Sequence, residues 1–412
     1  MNVVHEHCAG LDVHKKSVVA CRIGPDESGG WRKEIRHFGT LTDELLALAD
    51  WLRAGAVTQV AMESTGVYWR PIFNILEGEF EVLLVNAQHI KYVPGRKTDV
   101  HDAQWIAELL QHGLLKASFI PPVEQRDLRE LSRYRTKLIQ ERSSEINRVQ
   151  KVLEDANIKL GSVASNVLGV SGREMIEQLI AGQDDPSQLA QLARGRLREK
   201  IDQLERALKG KLRASHRLLL KLHLEHIDEL NAKIAALSEE IDHLLVPFDQ
   251  TAALERLDTI PGVSRQIAEI ILAELGTDMS RFPTAAHAAS WAGVAPGKNE
   301  SAGKNRSGQT RQGNQSLKAA LTQAAHAASK TKATYLAAQF RRLAARRGKK
   351  RAAVAVAHTI LIIAYTLLQR GTVYHELGAD YFDQRNDHSL QRQLVKRLER
   401  LGYTVTLEPA AA

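Results

Sequence analysis

The tract Thr58-Gln59-Val60-Ala61-Met62 does most to fix what this 412-residue chain can fold into. It is short and built of small and β-branched apolar residues. It ends on Glu63 and then breaks into Ser64-Thr65-Gly66. That pattern reads as a buried strand, and an acid at its C-terminal end stands where open α/β sheets place their chemistry. Residues 1 to about 120 alternate strand and helix signals around it. Val3 to Val13 reads as a strand, Lys15-Lys16 as a turn, Ser17 to Ile23 as a second strand, Pro25 to Gly30 as a loop and Glu34 to Phe38 as a third strand. Thr42 is suited to cap a helix over 43–53, whose apolar face is Leu45, Leu46, Leu48, Ala49 and Leu52. The Glu63 strand is the fourth, and a helix over 67–76 follows. Phe80 to Asn86, with its apolar run Val82-Leu83-Leu84-Val85, reads as a fifth strand at the centre of a sheet covered on both faces. After the polar stretch Lys91 to Thr98, Asp99 opens a helix through Trp105, Ile106, Leu109 and Leu110 to Gly113.

Three strands in a meander, then helix, strand, helix, strand, helix, is the element order of a ribonuclease-H-like domain: α/β with a mixed sheet. In that order the first strand lies beside the fourth. Asp12, in Gly10-Leu11-Asp12-Val13, then meets Glu63 at one end of the sheet. Asp99 and Asp102, three apart at a helix start, share a face. Gathered carboxylates repel, by roughly 4 kcal/mol per pair at about 4 Å and an effective dielectric near 20. Cations that neutralise an all-oxygen set are Mg²⁺ or Mn²⁺ rather than zinc. Two such ions activate a nucleophile and stabilise a leaving oxygen in phosphodiester chemistry. Singly, each acid has a plainer use: Asp99 as a cap, Asp102 as a first-turn acid favoured by the helix dipole, Asp12 as a turn residue.

Pro121-Pro122 marks a boundary. From Glu124 to about Val152 the chain is highly charged with apolar residues at helical spacing. A softer stretch, Gly161 to Gly172, precedes a second tract in which Leu218, Leu222, Ile227, Leu230, Ile234, Leu237, Ile241 and Leu244 recur at steps of three or four. The pair fits an antiparallel hairpin, either a bundle connector or a dimerising coiled coil. Further on, Ile260-Pro261-Gly262-Val263 lies between two helical stretches. It reads as the hairpin of a helix–hairpin–helix suited to a phosphate, or as a packing turn. Gly297 to Asn314 is a polar loop with no apolar residue larger than alanine, expected to be structureless. In it Ser301 is surrounded by Lys298, Lys304, Arg306 and Arg311. A hydroxyl among cations can attack a DNA phosphate, or only hydrogen-bond one. A basic cluster follows: Arg341, Arg342, Arg346, Arg347, Lys349, Lys350 and Arg351. The expected divisions are 1–120, 121–250, 251–378 and a polar tail, 379–412, to which no role is assigned.

The formal charge of +8 favours an anionic partner, nucleic acid first. Two cysteines, Cys8 and Cys21, are too few for a disulfide framework or a cysteine-rich zinc site and fit a reducing compartment. His5, Glu6 and His7 interrupt any leader-like apolar stretch. The apolar run Ala352 to Leu368, broken by His358 and Thr359, reads as a buried helix rather than a membrane span. The expected setting is the cytoplasm.

Five blocks resemble those of insertion sequence 110 family transposases: Gly10-Leu11-Asp12-Val13-His14-Lys15, Met62-Glu63-Ser64-Thr65-Gly66, Lys97-Thr98-Asp99-Val100-His101-Asp102-Ala103, Ile260-Pro261-Gly262-Val263 with Ala292-Gly293-Val294-Ala295-Pro296 through Glu300-Ser301, and Arg311-Gln312-Gly313-Asn314-Gln315-Ser316-Leu317. The resemblance spans roughly residues 5 to 375. It implies a RuvC-like N-terminal domain, a coiled-coil middle and a C-terminal transposase domain with a catalytic serine. It also implies a tetramer of two dimers, guidance by a structured element-encoded bridge RNA, and strand exchange through a covalent phosphoserine intermediate. By motif match Asp12, Glu63, Asp99 and Asp102 are the expected metal-binding acids and Ser301 the expected nucleophile. The family more often has Ser-Gly where this chain has Ser301-Ala302-Gly303. The expected function is therefore RNA-guided DNA cleavage and exchange. The alternatives are a RuvC-like hydrolytic nuclease, in which water attacks, and a non-catalytic nucleic-acid binder.

Overall fold

The alternation in the first 120 residues builds one five-stranded mixed sheet. Its strands are β1 (Cys8–Val13), β2 (Ser17–Pro25), β3 (Trp31–Gly39), β4 (Gln59–Glu63) and β5 (Glu81–Val85), in the order β3-β2-β1-β4-β5. The meander pairs are antiparallel, whereas β4 lies parallel to both β1 and β5. This computed structural model describes residues 2–64, 66–86, 102–246, 250–297, 299–301, 304–385 and 387–407, with backbone only at 250, 299–301, 304–307, 383, 385, 387–390 and 393. Contacts divide the chain into two units, Met1–Pro121 and Pro122–Ala412.

In the first unit the period of two along β1 feeds two layers. Ala9, Leu11 and Val13 pack with Leu45, Leu48 and Leu52 of α1 (Thr42–Ala54) and Ile72 and Leu76 of α2 (Trp69–Leu76). Cys8 faces the opposite layer, with Cys21, Ala61 and Val85 against Ala103, Ile106, Ala107 and Leu110 of α3 (Asp102–Gln111). Fully buried side chains such as Leu11, Leu48 and Ile72 contribute about 2 kcal/mol each.

Three expectations for this unit are corrected. The first strand begins at Cys8, not Val3: the Val4 side chain is exposed, and the Val4 and His5 amides bond the Gln111 carbonyl at the end of α3. The cap of α1 is Leu41, not Thr42, because the Glu44 carboxylate reaches back to the Leu41 amide and closes the helix one residue earlier. β5 is an edge strand, not a central one. Its apolar run is explained by cover: Leu84 and Val85 are buried in opposite layers, and Ser118 bonds its outer edge through an amide 2.7 Å from the Leu84 carbonyl.

The second unit is helical. Its long helices, α4 (Val123–Asp155) and α9 (Ala214–Leu245), lie side by side. Arg135 reaches Ser238, Arg142 reaches Asn231, Glu145 meets His223 and Asp155 meets His216, so the pair is antiparallel. Between them α5 (Leu160–Val163), α6 (Val170–Ala181), α7 (Pro186–Ala190) and α8 (Ile201–Ala207) enclose a separate small core. That insert shifts the seam of α9. Leu220, Leu224, Ile227, Leu230 and Ile241 are buried, whereas Leu218 and Leu222, expected on the seam, are exposed.

Beyond it, α10 (Gln250–Asp258) and α11 (Arg265–Leu275) are joined through Ile260-Pro261-Gly262-Val263. Gly262 has φ +87°, and a Cβ there would lie 2.5 Å from backbone atoms of Ala324 and Ala328, so the turn packs on α13 (Gln315–Ala328). With α12 (Ala285–Trp291), α14 (Tyr335–Arg347) and α15 (Lys349–Arg370) these helices form the largest core. Among the described residues α15 is the one helix long and apolar enough to cross a membrane, and Val356, Ile360, Leu361 and Ala364 are buried in that core.

Candidate active site

Asp12 and Glu63 are set side by side by strand register. β1 and β4 are parallel with Gly10 opposite Ala61 and Leu11 opposite Met62, so the next positions are Asp12 and Glu63. Both therefore stand at the C-terminal end of the sheet, in the layer that faces α3. Each is partly buried. The Asp12 carboxylate is 3.0 Å from His14 Nε2, and the His14 ring is mostly exposed.

Gly10 brings the third acid to that end. A Cβ at Gly10 would lie 2.3 Å from the Ala103 carbonyl oxygen and 2.4 Å from the Ala107 nitrogen, so α3 rests its backbone directly on β1. Cys8 Sγ is 3.7 Å from the Ala107 carbonyl oxygen, and the Val4 amide bonds Gln111, so α3 runs antiparallel to β1. The first turn of α3, carrying Asp102, is consequently directed toward the end of the sheet that holds Asp12 and Glu63. The positive end of the helix dipole favours carboxylates there.

Asp99, the fourth expected acid, lies outside the described residues. Among the described residues no group of three or more His, Cys, Asp or Glu side chains is placed to hold a metal ion. The two acids that the register sets side by side, Asp12 and Glu63, offer hard carboxylate oxygens. The two thiols in the same layer are not competing ligands, since burial pushes Cys8 up to about 12 and Cys21 up to about 11. In donor chemistry the site fits Mg²⁺ or Mn²⁺. Sequence reading passed over His14 as a partner of Asp12; the signal was its place two residues on, just past the strand end.

Ser301 belongs to the second unit. The polar loop expected to be structureless contains a two-stranded hairpin, β6 (Asn299–Ser301) and β7 (Lys304–Ser307), with Ser301 paired to Lys304. Backbone pairing supplies this structure without any apolar core, which is why hydropathy did not signal it. Lys304 and Arg306 lie in β7, and Lys298 lies outside the described residues. Arg311 is exposed. The foot of the loop is tightly closed. The Gly297 amide bonds Gln309, the Asn314 amide bonds Trp291, and a Cβ at Gly313 would lie 2.4 Å from the Gly293 nitrogen. Arg341, Arg342, Arg346 and Arg347 on α14, and Lys349, Lys350 and Arg351 in the first turn of α15, are all exposed.

Comparison with known proteins fits this arrangement. A family model for DEDD transposases of the IS110 type, described as Transposase, matches residues 9–158. A second, described as Transposase IS116/IS110/IS902 family, matches residues 254–341. The chain is 26% identical over 372 residues to a probable family 20 transposase of Pseudomonas aeruginosa, covering 89% of this chain and 97% of that protein. It is 25% identical over 370 residues to the transposase for insertion sequence element IS1111A of Coxiella burnetii, covering 89% and 90%. The first match contains the strands and helix that carry Asp12, Glu63 and Asp102, and the second contains the loop that carries Ser301. The chain belongs to the IS110 family of insertion-sequence transposases and is a DNA transposase.

Proposed function

We propose that this transposase cleaves and exchanges DNA strands through two sets of groups: a carboxylate centre of Asp12, Glu63, Asp99 and Asp102, and the hydroxyl of Ser301. The observation that most directly supports it is the register that sets Asp12 beside Glu63, under the helix that begins at Asp102. These acids would hold Mg²⁺ or Mn²⁺, which when bound supplies charge neutralisation at the scissile phosphate. Ser301 Oγ forms a bond to phosphorus, the bridging P–O bond breaks, and the departing strand leaves as a hydroxyl that takes up a proton. The phosphoserine link conserves the bond energy for the reverse attack by a second strand. Within this reading residues 1–120 are the RuvC-like catalytic part, 121–250 a coiled-coil region for dimerisation, and 251–378 the serine-bearing part with a helix–hairpin–helix at Ile260–Val263. Two dimers assemble into a tetramer. The protein works in the bacterial cytoplasm, at the nucleoid.

Cations carry the nucleic acid in this account: Lys298, Lys304, Arg306 and Arg311, close to Ser301 in sequence, and the exposed Arg341–Arg351 cluster. Lys349, Lys350 and Arg351 occupy the first turn of a helix, where the dipole disfavours cations by about 0.3–1 kcal/mol each. Surface charge placed against the dipole is repaid when phosphates lie over it. The partners are donor and target DNA and an element-encoded guide RNA. The guide is tested by purifying the protein from cells that carry the whole insertion sequence and sequencing what co-purifies. One enriched structured RNA from the element is expected. Recovery of cellular RNA in proportion to abundance contradicts guidance.

A further inference from the structure

We propose that Glu274 and Asn314 are positioning residues for the serine loop, a lock that holds its foot in register with the rest of the second unit. The role in catalysis rests on the reading of Ser301 as nucleophile; the lock itself does not. Glu274 lies near the end of α11, in the stretch Ile267 to Leu275 where every residue is buried, and its carboxylate is 1% exposed. It takes a bidentate pair from Arg133 of α4, at 2.7 and 2.9 Å, and stands 3.3 Å from Arg129 Nε. Its remaining acceptor capacity goes to Asn314, whose Nδ2 donates to Glu274 Oε2 at 2.6 Å.

Asn314 is the residue at which the polar loop ends. Its Oδ1 accepts the Leu317 amide at 3.0 Å and so caps α13. The cap requires the oxygen to face the helix, which leaves the amide NH₂ for the carboxylate. The Asn314 backbone amide bonds the Trp291 carbonyl at 3.1 Å, at the other end of the same loop. Asn314 thus ties the loop down twice: its backbone amide closes the loop onto Trp291, and its side chain links the start of α13, through Glu274, to the pair of arginines on α4. A cap alone would need no buried partner. A buried carboxylate shared between two guanidiniums and one amide gives a single geometry, because each partner lost leaves a desolvated polar group. The block Arg311-Gln312-Gly313-Asn314 has this physical use: Gly313 admits the Gly293 backbone, and Asn314 closes the lock.

The test is a charge swap. N314D keeps an equally good helix cap but sets two carboxylates against each other. The double variant E274Q/N314D restores one donor and one acceptor, since glutamine at 274 donates to aspartate at 314, with the net charge of the pair unchanged. Two quantities are read on the full-length protein: backbone hydrogen exchange over 294–313, with α6 as internal reference, and the rate of DNA strand cleavage. In N314D exchange over the loop is expected to rise about tenfold and cleavage to fall about tenfold, while exchange in α6 is unchanged. The double variant is expected to recover both to within about threefold. Loop exchange in N314D equal to wild type overturns the lock. Raised loop exchange with unchanged cleavage keeps the lock and overturns the nucleophile reading on which its catalytic role rests.

Discussion

Glu63→Ala is expected to abolish DNA strand cleavage, by about 10³-fold or more, without unfolding the protein. Glu63 sits at the end of β4, and the parallel register that sets Leu11 opposite Met62 carries Asp12 beside it. Carboxylates set side by side repel, so removing one is expected to leave the metal-free fold intact. The backbone is held independently of the side chain, since the Ser64 amide continues the ladder by bonding Val85 at 3.0 Å. Activity is lost because a hard cation is held by the summed charge of its carboxylates, and one fewer weakens both binding and the field at the phosphate. Thermal melts with and without Mg²⁺ beside a cleavage assay check this. Wild type should gain Tm on adding Mg²⁺, and the variant should melt no lower than metal-free wild type and gain nothing.

The second large effect is expected at a residue with no side chain. Gly10→Ala places a Cβ 2.3 Å from one α3 backbone atom and 2.4 Å from another. Neither is a flexible side-chain end, so α3 must move off the sheet. Overpacking of this kind costs about 1–3 kcal/mol or more. The motion also carries Asp102 away from Asp12 and Glu63. Cleavage should fall by about 100-fold or more, beyond what the lost stability accounts for, because misplacement near 1 Å at a catalytic group costs that much. Activity measured well below the melting temperature separates the two effects. A Gly10→Ala protein with wild-type cleavage and Tm would mean that α3 does not rest on β1 in this way.

Much of this site could be read before the structure. The Gly10-Leu11-Asp12 and Met62-Glu63 tracts declare their strands by composition, and the meander-then-alternation order fixes β1 beside β4. Side-chain period then carries both acids to one layer. What could not be read depends on tertiary cover. The β5 run is as apolar as a central strand because Ser118 and two layers bury an edge. Helical spacing puts Leu218 and Leu222 on the seam of α9 because it gives a face but not which neighbour covers it, whereas the insert covers Leu220 and Leu224. The serine loop hides its hairpin because backbone pairing leaves no hydropathy trace. The Glu274–Asn314 contact joins residues 40 apart in sequence and follows from no local rule.

The central claim, that Ser301 rather than water attacks the DNA, is tested most directly by trapping. The purified protein, together with any RNA that co-purifies with it, is incubated with labelled donor DNA and Mg²⁺, quenched in denaturant, digested and analysed by mass spectrometry. A covalent nucleotide adduct on the peptide containing Ser301 is expected, absent in Ser301→Ala and in Glu63→Ala. Cleaved DNA with no adduct on any peptide, or an adduct that persists in Ser301→Ala, would contradict the account.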